Sequence, residues 1–307
     1  MANLRDIRNR INSVENTKQV TRAMKMVAAA KLRKAQERIF NTRPYAFKIR
    51  EIVDHLQDEL DPTAHEFFQQ REEIEGVLLV IITADRGLAG AFNTNVIKKA
   101  EDTIEERYKA QKKAGNLYLL CPGRKGHEHF EKRGYQIVGD YRHIFDGLSF
   151  NTAMSIVEDS IEGFRRGLWD EVDLVYNEFK NTIAQNRITE PLLPIPEGTF
   201  QTPVMEDEST GDAVLNNGQE IDYIFEPGAV QILDELVPRY LNYQVWRALL
   251  ESNAAEQGAR MVAMDNATSN AEDLLEDLRI TYNRERQNAI TMEILDITSG
   301  AEALGDG

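Results

Sequence analysis

Cysteine and long apolar runs are nearly absent from this sequence of 307 residues. Cys121 is the only cysteine, so no disulfide can form within the chain, and at a predicted strand end it is expected to be a small core residue. The longest apolar run, residues 77–82, is far shorter than the roughly 20 residues that cross a bilayer. The first residues also lack the apolar stretch of a signal peptide. We therefore expect any connection to a membrane to run through partner proteins.

Basic residues are scarce in most of the chain and concentrated at its start. Residues 1–50 hold 13 Lys or Arg and 3 Asp or Glu, which leaves the rest of the chain at −25 within a total of −15. Residues 188–238 contain no Lys or Arg. Such asymmetry predicts a polyanionic partner for the basic part, either a nucleic acid, an anionic lipid or an acidic protein surface.

Glycine is absent from the first 75 residues, where apolar residues repeat as in a coiled coil. Steps of three and four through residues 4–60 reach seventeen positions, of which thirteen are apolar. A period of about 3.5 kept over this length predicts a long helix with a coiled-coil seam. The seam is loosened at Lys18, Thr21 and Lys25. Pro44 predicts a kink at most, because the register resumes unshifted after it.

The C-terminal part of the chain follows the same pattern. From residue 229 onward, fifteen of twenty seam positions are apolar or Tyr. Pro227 suits the start of this second helix, and Pro238 lies early enough to be absorbed as a bend. Gly300 predicts the end of the helix.

The lengths of the two helices predict how they pair. At about 1.5 Å per residue they measure about 85 Å and 105 Å, whereas a small domain is about 30 Å across. Because the middle of the chain holds both at their inner ends, we expect them to leave it together and pair antiparallel. The C-terminal helix would then exceed its mate by about 15 residues. Residues 289–304 are apolar on several faces, so a partner must cover them.

Between the two long helices, strand patterns alternate with helical patterns. Short buried-strand runs occur at 76–83, 117–121 and 172–179, and helical patterns at 96–114 and 150–167. This alternation predicts a Rossmann-like α/β domain with a mainly parallel sheet. The predicted fold class is therefore α/β plus a long α-helical coiled coil. Its predicted parts are an N-terminal coiled-coil helix (1–62), the α/β domain (75–195), an acidic loop or insertion (196–226, with 198–222 as a surface loop or hairpin) and a C-terminal coiled-coil helix (227–307).

The motifs of nucleotide and metal chemistry are missing. TADRGLAGAFN (83–93) reads as a strand end, a Gly turn and a helix, but its GLAG is not GxGxxG, and GxxxxGK[ST] occurs nowhere. CPGRKG (121–126) offers Gly and two bases without a Ser or Thr for a metal, so an anion site there is the less favoured interpretation. His127 and His129 point away from each other on a helix and are expected at the surface rather than on zinc. We expect no catalytic residue, metal or cofactor.

Several stretches of the sequence carry a family resemblance. They are IRNRINSVENTKQVTRAMKMVAAAKLRKAQ, TADRGLAGAFN, YNEFKNTI, and ARMVAMDNATSNAEDLL followed by YNRERQNAITMEILDITSGAEAL. In these stretches the chain resembles the gamma subunits of bacterial F-type ATP synthases. The likeness spans almost the whole chain but is lost in 198–222, where this chain is longer than usual. It also departs at Ala89, where many relatives have Cys.

The resemblance implies a non-catalytic central-stalk rotor. In that family the paired helices form a shaft inside a ring of three alpha and three beta subunits, and the α/β body lies on the epsilon subunit and the ring of c subunits. Proton flow turns the c ring and the shaft, and the asymmetric shaft drives the catalytic sites through their conformations during ATP synthesis or hydrolysis. The implied location is peripheral, on the cytoplasmic face of the bacterial inner membrane.

The resemblance also implies which residues contact partners. Met24 lies in AMKMVAA, Arg260 in ARMVAM, and Arg286, Gln287 and Thr291 in RERQNAIT, at positions that contact beta-subunit loops in relatives. From the residues alone, other interpretations stay open. Met24 can widen the seam together with neighbouring valines, both arginines can simply be solvated, and Gln287 and Thr291 merely share a helix face.

A basic face on the N-terminal helix is expected to meet acidic loops of the beta subunits. It consists of Arg22, Lys25, Lys31, Arg33 and Lys34. Attraction between charged surfaces acts over a long range and depends little on their relative orientation. Such attraction suits a surface that slides past three similar partners.

A second hypothesis is a free-standing coiled-coil scaffold or a nucleic-acid-binding arm on an α/β body. The basic helix suits phosphates, but it offers Phe40 and Tyr45 only at its far end and has no interleaved aromatic residues to stack on bases. Salt-dependent DNA binding by the purified chain would favour this hypothesis. Co-purification with alpha and beta subunits would favour the rotor, for which no nucleic-acid partner is expected.

Overall fold

The computed structural model describes residues 4–59, 66–71, 73–196, 202–203 and 229–305. The chain divides into two units, one of residues 28–260 and one of residues 1–27 with 261–307. Two long helices belong to both units, α1 (Leu4–Glu59) and α6 (Ala229–Gly305). Of the predicted acidic segment 198–222, all but Thr202 and Pro203 lies outside the described residues.

The heptad pattern correctly predicts both long helices. Helix α1 continues through Pro44 and α6 through Pro238, so neither proline ends its helix. The prediction that Gly300 ends α6 is wrong, because the helix extends to Gly305. A single glycine costs a helix only about 1 kcal/mol relative to alanine, and the residues that follow Gly300 include good helix formers.

The larger unit contains the strands β1 (Val77–Ile81), β2 (Leu117–Leu120), β3 (Gln136–Ile137), β4 (Glu171–Phe179) and β5 (Gln185–Leu193). In the described part of this unit they form a five-stranded sheet in the order β3-β2-β1-β4-β5. Strands β1 to β4 are parallel to their neighbours, and β5 is antiparallel to β4. The predicted mainly parallel sheet is confirmed, and the structure adds β3 and β5, which were not predicted.

The helices of the larger unit connect these strands. They are α2 (Phe92–Glu106), α3 (Lys109–Ala114), α4 (Arg124–Glu131) and α5 (Phe150–Arg165). The single helix predicted at 96–114 is divided between α2 and α3. At the break, the side chain of Tyr108 turns inward and donates a hydrogen bond to the Asp173 carboxylate at 2.6 Å. Helix α4 includes His127 and His129, which the sequence analysis placed on a helix.

Successive side chains of β1 face opposite layers of the larger unit, as the period of two in a strand requires. Leu78 and Val80 belong to the apolar cluster shared with α5 and α6. Leu79 and Ile81 belong to the cluster shared with α2. Cys121 lies in this second cluster, and burial raises the pKa of its thiol to about 12. The prediction of a core cysteine is confirmed.

Helices α1 and α6 contact each other within the larger unit through the predicted seam. Leu32, Ala35 and Ile39 of α1 form a buried apolar cluster with Leu250 and Ala254 of α6. These positions recur at steps of three and four along each helix, so the cluster has the spacing of coiled-coil packing.

Candidate partner-binding surfaces

Three polar pairs cross the seam in the smaller unit. Each pair joins one residue of α1 to one of α6. The residue number in α6 falls as the residue number in α1 rises, so the two helices are antiparallel in this unit. These are the positions predicted only to loosen the seam. The pairs are Lys18 Nζ with Glu272 Oε1 at 2.9 Å, Thr21 Oγ1 with Thr268 Oγ1 at 2.8 Å, and Lys25 Nζ with Asp265 Oδ1 at 2.6 Å.

Apolar side chains surround the predicted contact residue Met24. Met24 itself is half-buried. Its neighbours Val20, Met26 and Val27 are each more than half exposed. The two valines therefore do not widen the seam, and they present an apolar stripe on the surface of α1 in this unit.

The rest of the predicted basic face is accessible. Arg22, Lys31, Arg33 and Lys34 are all exposed. Arg33 pairs with Glu37 one turn further along α1, with 3.2 Å between Nε and Oε1. Exposed pairs of this kind hold side chains weakly, so the face keeps its positive charge available for a partner.

Arg260 is held within its own chain. Its Nη1 lies 2.5 Å from Glu256 Oε1, and its Nη2 donates to the backbone oxygen of Gly87 at 3.0 Å. The side chain is only 12% exposed. Arg260 therefore ties α6 to the loop that connects β1 to α2, and the interpretation of a simply solvated arginine does not hold.

The predicted contact residues near the C-terminal end of α6 lie on the surface. Arg286, Gln287 and Thr291 are exposed, and Thr291 donates its hydroxyl to the backbone oxygen of Gln287 at 2.9 Å. Within the described part of the chain, every side chain from 286 to 299 is exposed. The large apolar ones, 48% to 66% exposed, are Ile290, Met292, Ile294, Leu295 and Ile297. The prediction that this chain leaves its apolar helix end uncovered is confirmed for the described residues.

The carboxyl edge of the sheet, where α/β folds bind phosphates, is filled by a side chain of this protein. Asp85 follows β1 and is buried. Its Oδ1 accepts hydrogen bonds from the backbone N–H groups of Arg124, at 3.0 Å, and His143, at 2.8 Å, and its Oδ2 accepts one from Phe145 at 3.0 Å. The carboxylate thus occupies the N-terminus of α4, the place where a helix favours an anion. Nothing in the sequence motif predicted this role for Asp85.

Two further predictions concern histidines. The prediction that His127 lies at the surface is wrong. The side chain is buried, because it lies on the face of α4 that packs against the interior together with Gly126 and Phe130. His129 contacts Glu101 with 3.0 Å between Nε2 and Oε1.

Among the described residues, no group of three or more His, Cys, Asp or Glu could hold a metal ion. No helix in the described part of the chain is both long and apolar enough to span a bilayer.

These features define a class of protein. The candidate contact positions lie on two long helices and on an apolar helix end, while the phosphate-binding position of the α/β unit is taken by Asp85. The class is a protein with an α/β domain and two long helices that pair through a coiled-coil seam.

Sequence comparisons give the family. The family model described as ATP synthase matches residues 3–304. The ATP synthase gamma chain of Salinibacter ruber is 70% identical over 304 residues, with 99% of both chains covered. That of Chloroherpeton thalassium is 50% identical over 306 residues, with the same coverage. The chain therefore belongs to the family of ATP synthase gamma chains, the non-catalytic central-stalk rotor subunits of the rotary ATP synthase.

Solved structures share the fold. A chain in the central stalk and c-ring structure of the Tetrahymena thermophila mitochondrial ATP synthase has a TM-score of 0.55 and 26% identity, and the match covers 81% of this chain and 99% of that chain. A chain in the rotor structure of the Euglena gracilis mitochondrial enzyme has a TM-score of 0.63 and 21% identity, with 94% and 98% covered.

Proposed function

We propose that this chain couples proton flow through a ring of c subunits to ATP synthesis or hydrolysis in a ring of alpha and beta subunits. The observation that carries the proposal is the exposed apolar end of α6. Fully burying one Leu, Ile or Met side chain is worth about 1.5–3 kcal/mol. A partner that closely encloses residues 290–297 would therefore strongly stabilise the complex with this chain.

The distribution of these apolar side chains favours an enclosing partner over a flat one. Successive helix residues are turned by about 100°, so residues 290, 294 and 297 share one face of α6 and residues 292 and 295 lie on the opposite face. A flat surface would bury one side and leave the others in water. A ring of subunits around the helix end would bury them all.

The predicted contact residues fit two kinds of contact with the ring. Arg286, Gln287 and Thr291 adjoin the apolar end of α6, and we assign them to the alpha and beta subunits that enclose it. Met24, with the exposed apolar stripe beside it, and Lys25, with the basic face, are assigned to acidic loops of the beta subunits. Lys25 also pairs with Asp265, so the net positive charge of that face comes from its other residues.

Arg260 is assigned to the same beta contacts through the loop that it holds. It donates to Gly87, and the next residue, Leu88, is a largely exposed leucine with a φ of 63°. A bulky residue is rarely held at positive φ. The contact from Arg260 helps to hold that backbone in place, so that Leu88 can be presented to a partner.

The α/β domain at 75–195 is assigned to the epsilon subunit and the c ring, while the acidic insertion at 196–226 stays a predicted surface loop. The coiled-coil helices at 1–62 and 227–307 are assigned to the catalytic ring. In this arrangement the protein is peripheral, at the cytoplasmic face of the bacterial inner membrane, and partners alone hold it there.

The test is to remove the apolar character of the helix end. We expect the triple variant Ile290→Gln, Ile294→Gln and Ile297→Gln, expressed with alpha and beta subunits, to assemble at least about tenfold more weakly, because three buried side chains are lost. Deletion of residues 290–307 should act in the same way and leave the α/β body folded by near-ultraviolet circular dichroism.

A matched control changes the same stretch without removing apolar area. Glu293→Gln with Asp296→Asn should assemble as the unchanged chain does. Normal assembly of the triple variant, or loss of the folded body after truncation, would contradict the proposal.

A further inference from the structure

One face of α6 carries a row of polar contacts to the hairpin formed by β4 and β5. The helix residues are spaced four apart and so lie on one face, spanning about 12 Å of helix. We call these contacts the hairpin grip. They join Arg247 to Glu190 of β5, the Glu251 carboxylate to the N–H of Phe179 at the end of β4 (3.2 Å), and the Ala255 backbone oxygen to the side chain of Gln185 at the start of β5 (2.9 Å).

Arg247 is the centre of the grip. Its Nη2 lies 2.6 Å from both carboxylate oxygens of Glu190, and its Nη1 donates to Tyr176 Oη at 3.0 Å. Tyr176 in turn donates to Glu190 Oε2 at 2.8 Å, and Gln244 Oε1 accepts from Arg247 Nε at 3.2 Å. All four side chains are buried. Burial raises the pKa of the Tyr176 hydroxyl, and the Glu190 carboxylate raises it further although Arg247 opposes this, so the tyrosine stays a donor.

Close backbone contact extends the grip toward the tip of the hairpin. A Cβ placed on Gly258 of α6 would lie 3.3 Å from the Phe179 ring and 3.7 Å from Thr182 Cα. The helix therefore runs against the hairpin from Arg247 to Gly258, and its smallest residue lies where the turn comes nearest.

Stability alone does not explain a buried ion cluster at this place. Apolar residues of similar volume often stabilise a protein as much as a buried ion pair or more, and α6 already packs on the body through Leu241, Val245 and Leu249. Apolar contacts resist separation but depend little on direction. The Arg247 guanidinium, by contrast, donates in three directions, from Nη2 to Glu190, from Nη1 to Tyr176 and from Nε to Gln244, and such a planar group held on several sides fixes orientation. The cluster thus adds resistance to rotation of α6 about its own axis.

We propose that the hairpin grip is the joint through which the α/β body turns α6, with Arg247 and Glu190 as positioning residues. This rests on the proposed rotor function. In a rotor, torque enters at the body and is used along the helix, so the helix must not slip within the body. The contact residues on α6 bind a hairpin that is part of the sheet. Its strand β4 pairs with β1 on one side and with β5 on the other. Rotation of the sheet is thereby passed to the helix at several points along its length.

The test uses Glu190→Leu with Arg247→Met, which replaces the ion pair by apolar residues of similar volume. The assembled complex is reconstituted in vesicles, and both ATP hydrolysis and ATP-driven proton pumping are measured. We expect hydrolysis to stay within about twofold of the unchanged complex and the ratio of pumping to hydrolysis to fall about threefold under an opposing proton gradient, where slip is greatest.

The larger unit supplies a matched control. Asp173 is also a buried carboxylate held by a tyrosine and an arginine, Tyr108 at 2.6 Å and Arg107 at 2.9 Å. Because side chains alternate along a strand, Asp173 faces the other side of the sheet from Tyr176 of the grip. Asp173→Leu with Arg107→Met removes the same chemistry from β4 and from the residue that follows α2 without touching α6. The ratio of pumping to hydrolysis should not change in this control.

A disulfide separates a positional role from a merely structural one. Thr182→Cys with Gly258→Cys, added to the grip variant, places two thiols where the hairpin and helix nearly touch. Oxidation should restore the pumping ratio and reduction should abolish it again. Should Glu190→Leu with Arg247→Met not assemble, Gln185→Leu removes one contact and leaves the ion cluster intact, with an expected fall of about 1.5-fold.

The outcomes are distinct from those that test the rotor itself. An unchanged ratio in the grip variant, an equal fall in the control, or no recovery on oxidation would each overturn the joint. Failure of the unchanged chain to support pumping in the same vesicles would instead count against the proposed function.

Discussion

The side chain of Arg260 is engaged on two sides by its own chain. Its guanidinium contacts the Glu256 carboxylate and the Gly87 backbone, and Glu256 is itself buried. Burial raises the pKa of Glu256, while Arg260 opposes this shift. Arg260 is therefore first a counter-ion to a buried carboxylate, and the contact with a beta subunit that is proposed for it has to be tested separately from that internal role.

Removal of Arg260 should make stability depend on pH. A carboxyl group whose pKa is raised in the folded state stabilises the fold below its ordinary pKa of about 4.3, and that contribution is lost as pH rises through the folded-state value. Arg260→Met removes the group that lowers the pKa of Glu256. We expect it to cost about 3 kcal/mol of unfolding free energy at pH 7, with the difference shrinking toward pH 4. Urea unfolding at several pH values, followed by tryptophan fluorescence, measures this.

Glu256→Gln with Arg260→Met is the control, because it removes the buried charge as well. It should regain most of the stability and lose the pH dependence. If this double variant is stable but its complex with alpha and beta subunits turns over more slowly, Arg260 also serves the partner contact. Equal stability of Arg260→Met and the unchanged chain at pH 7 would contradict the internal role.

Single residues also mark the limit of what the sequence predicts. The core position of Cys121 could be inferred, because a small apolar residue at a strand end is buried in most α/β folds. The role of Asp85 could not, since its partners are the N–H groups of Arg124, His143 and Phe145, which come near only after the loops fold. Acidic residues in a Gly-containing turn are common, and nothing local distinguishes this one.

At the scale of elements, periodicity predicted the long helices well and the short elements poorly. In α1 and α6 the apolar repeat continues over many helical turns, so the pattern predicts a helix strongly. Strand β5 was missed because its sequence, QNRITEPLL, has charged residues and a proline, which are tolerated in an edge strand. The seam positions 18, 21 and 25 were recognised as polar, but their partners are some 240 residues away in the chain, so no local pattern could pair them.

The hydroxyl pair in the seam offers a test at this scale. Thr21 and Thr268 are buried and 2.8 Å apart, and Thr268 also donates to the backbone oxygen of Met264. Replacing one threonine by valine leaves a buried hydroxyl with fewer partners and should cost about 1 kcal/mol. Replacing both should be nearly neutral, because shape is kept and both polar groups are gone. Thermal unfolding followed at 222 nm compares Thr21→Val, Thr268→Val and the double variant.

The exposed ion pairs beside these threonines provide the comparison. Lys25→Ala should change stability by less than about 1 kcal/mol, since exposed pairs contribute little. A double threonine variant that loses clearly more stability than the two single variants together would show that the hydroxyl pair holds the helices in register.

At the scale of the whole molecule, the exposed end of α6 determines what the assembled complex can do. A cysteine placed at Gln287 lies on the exposed stretch, whereas Cys121 is buried with a pKa raised to about 12, so the introduced thiol reacts first. We expect a disulfide from Gln287→Cys to a beta or alpha subunit to reduce ATP turnover at least about tenfold, because it fixes the shaft to the ring. Turnover is measured before and after reduction.

Recovery of turnover on reduction is the internal control for that cross-link. Full turnover with the disulfide confirmed on a gel would contradict a shaft that turns as one rigid piece. The corresponding cross-link from a polar residue on the α/β body would not report on the ring, which is why the position on α6 carries the test.

Asp85 has a consequence for how the machine behaves as cellular conditions change. The α/β body has the architecture of a nucleotide fold and belongs to a complex surrounded by ATP and ADP. The negative charge of the Asp85 carboxylate, fixed by three backbone donors, repels phosphate from the one edge where such folds receive it. We therefore expect this edge of the body to leave ATP and ADP unbound at any ratio of the two nucleotides.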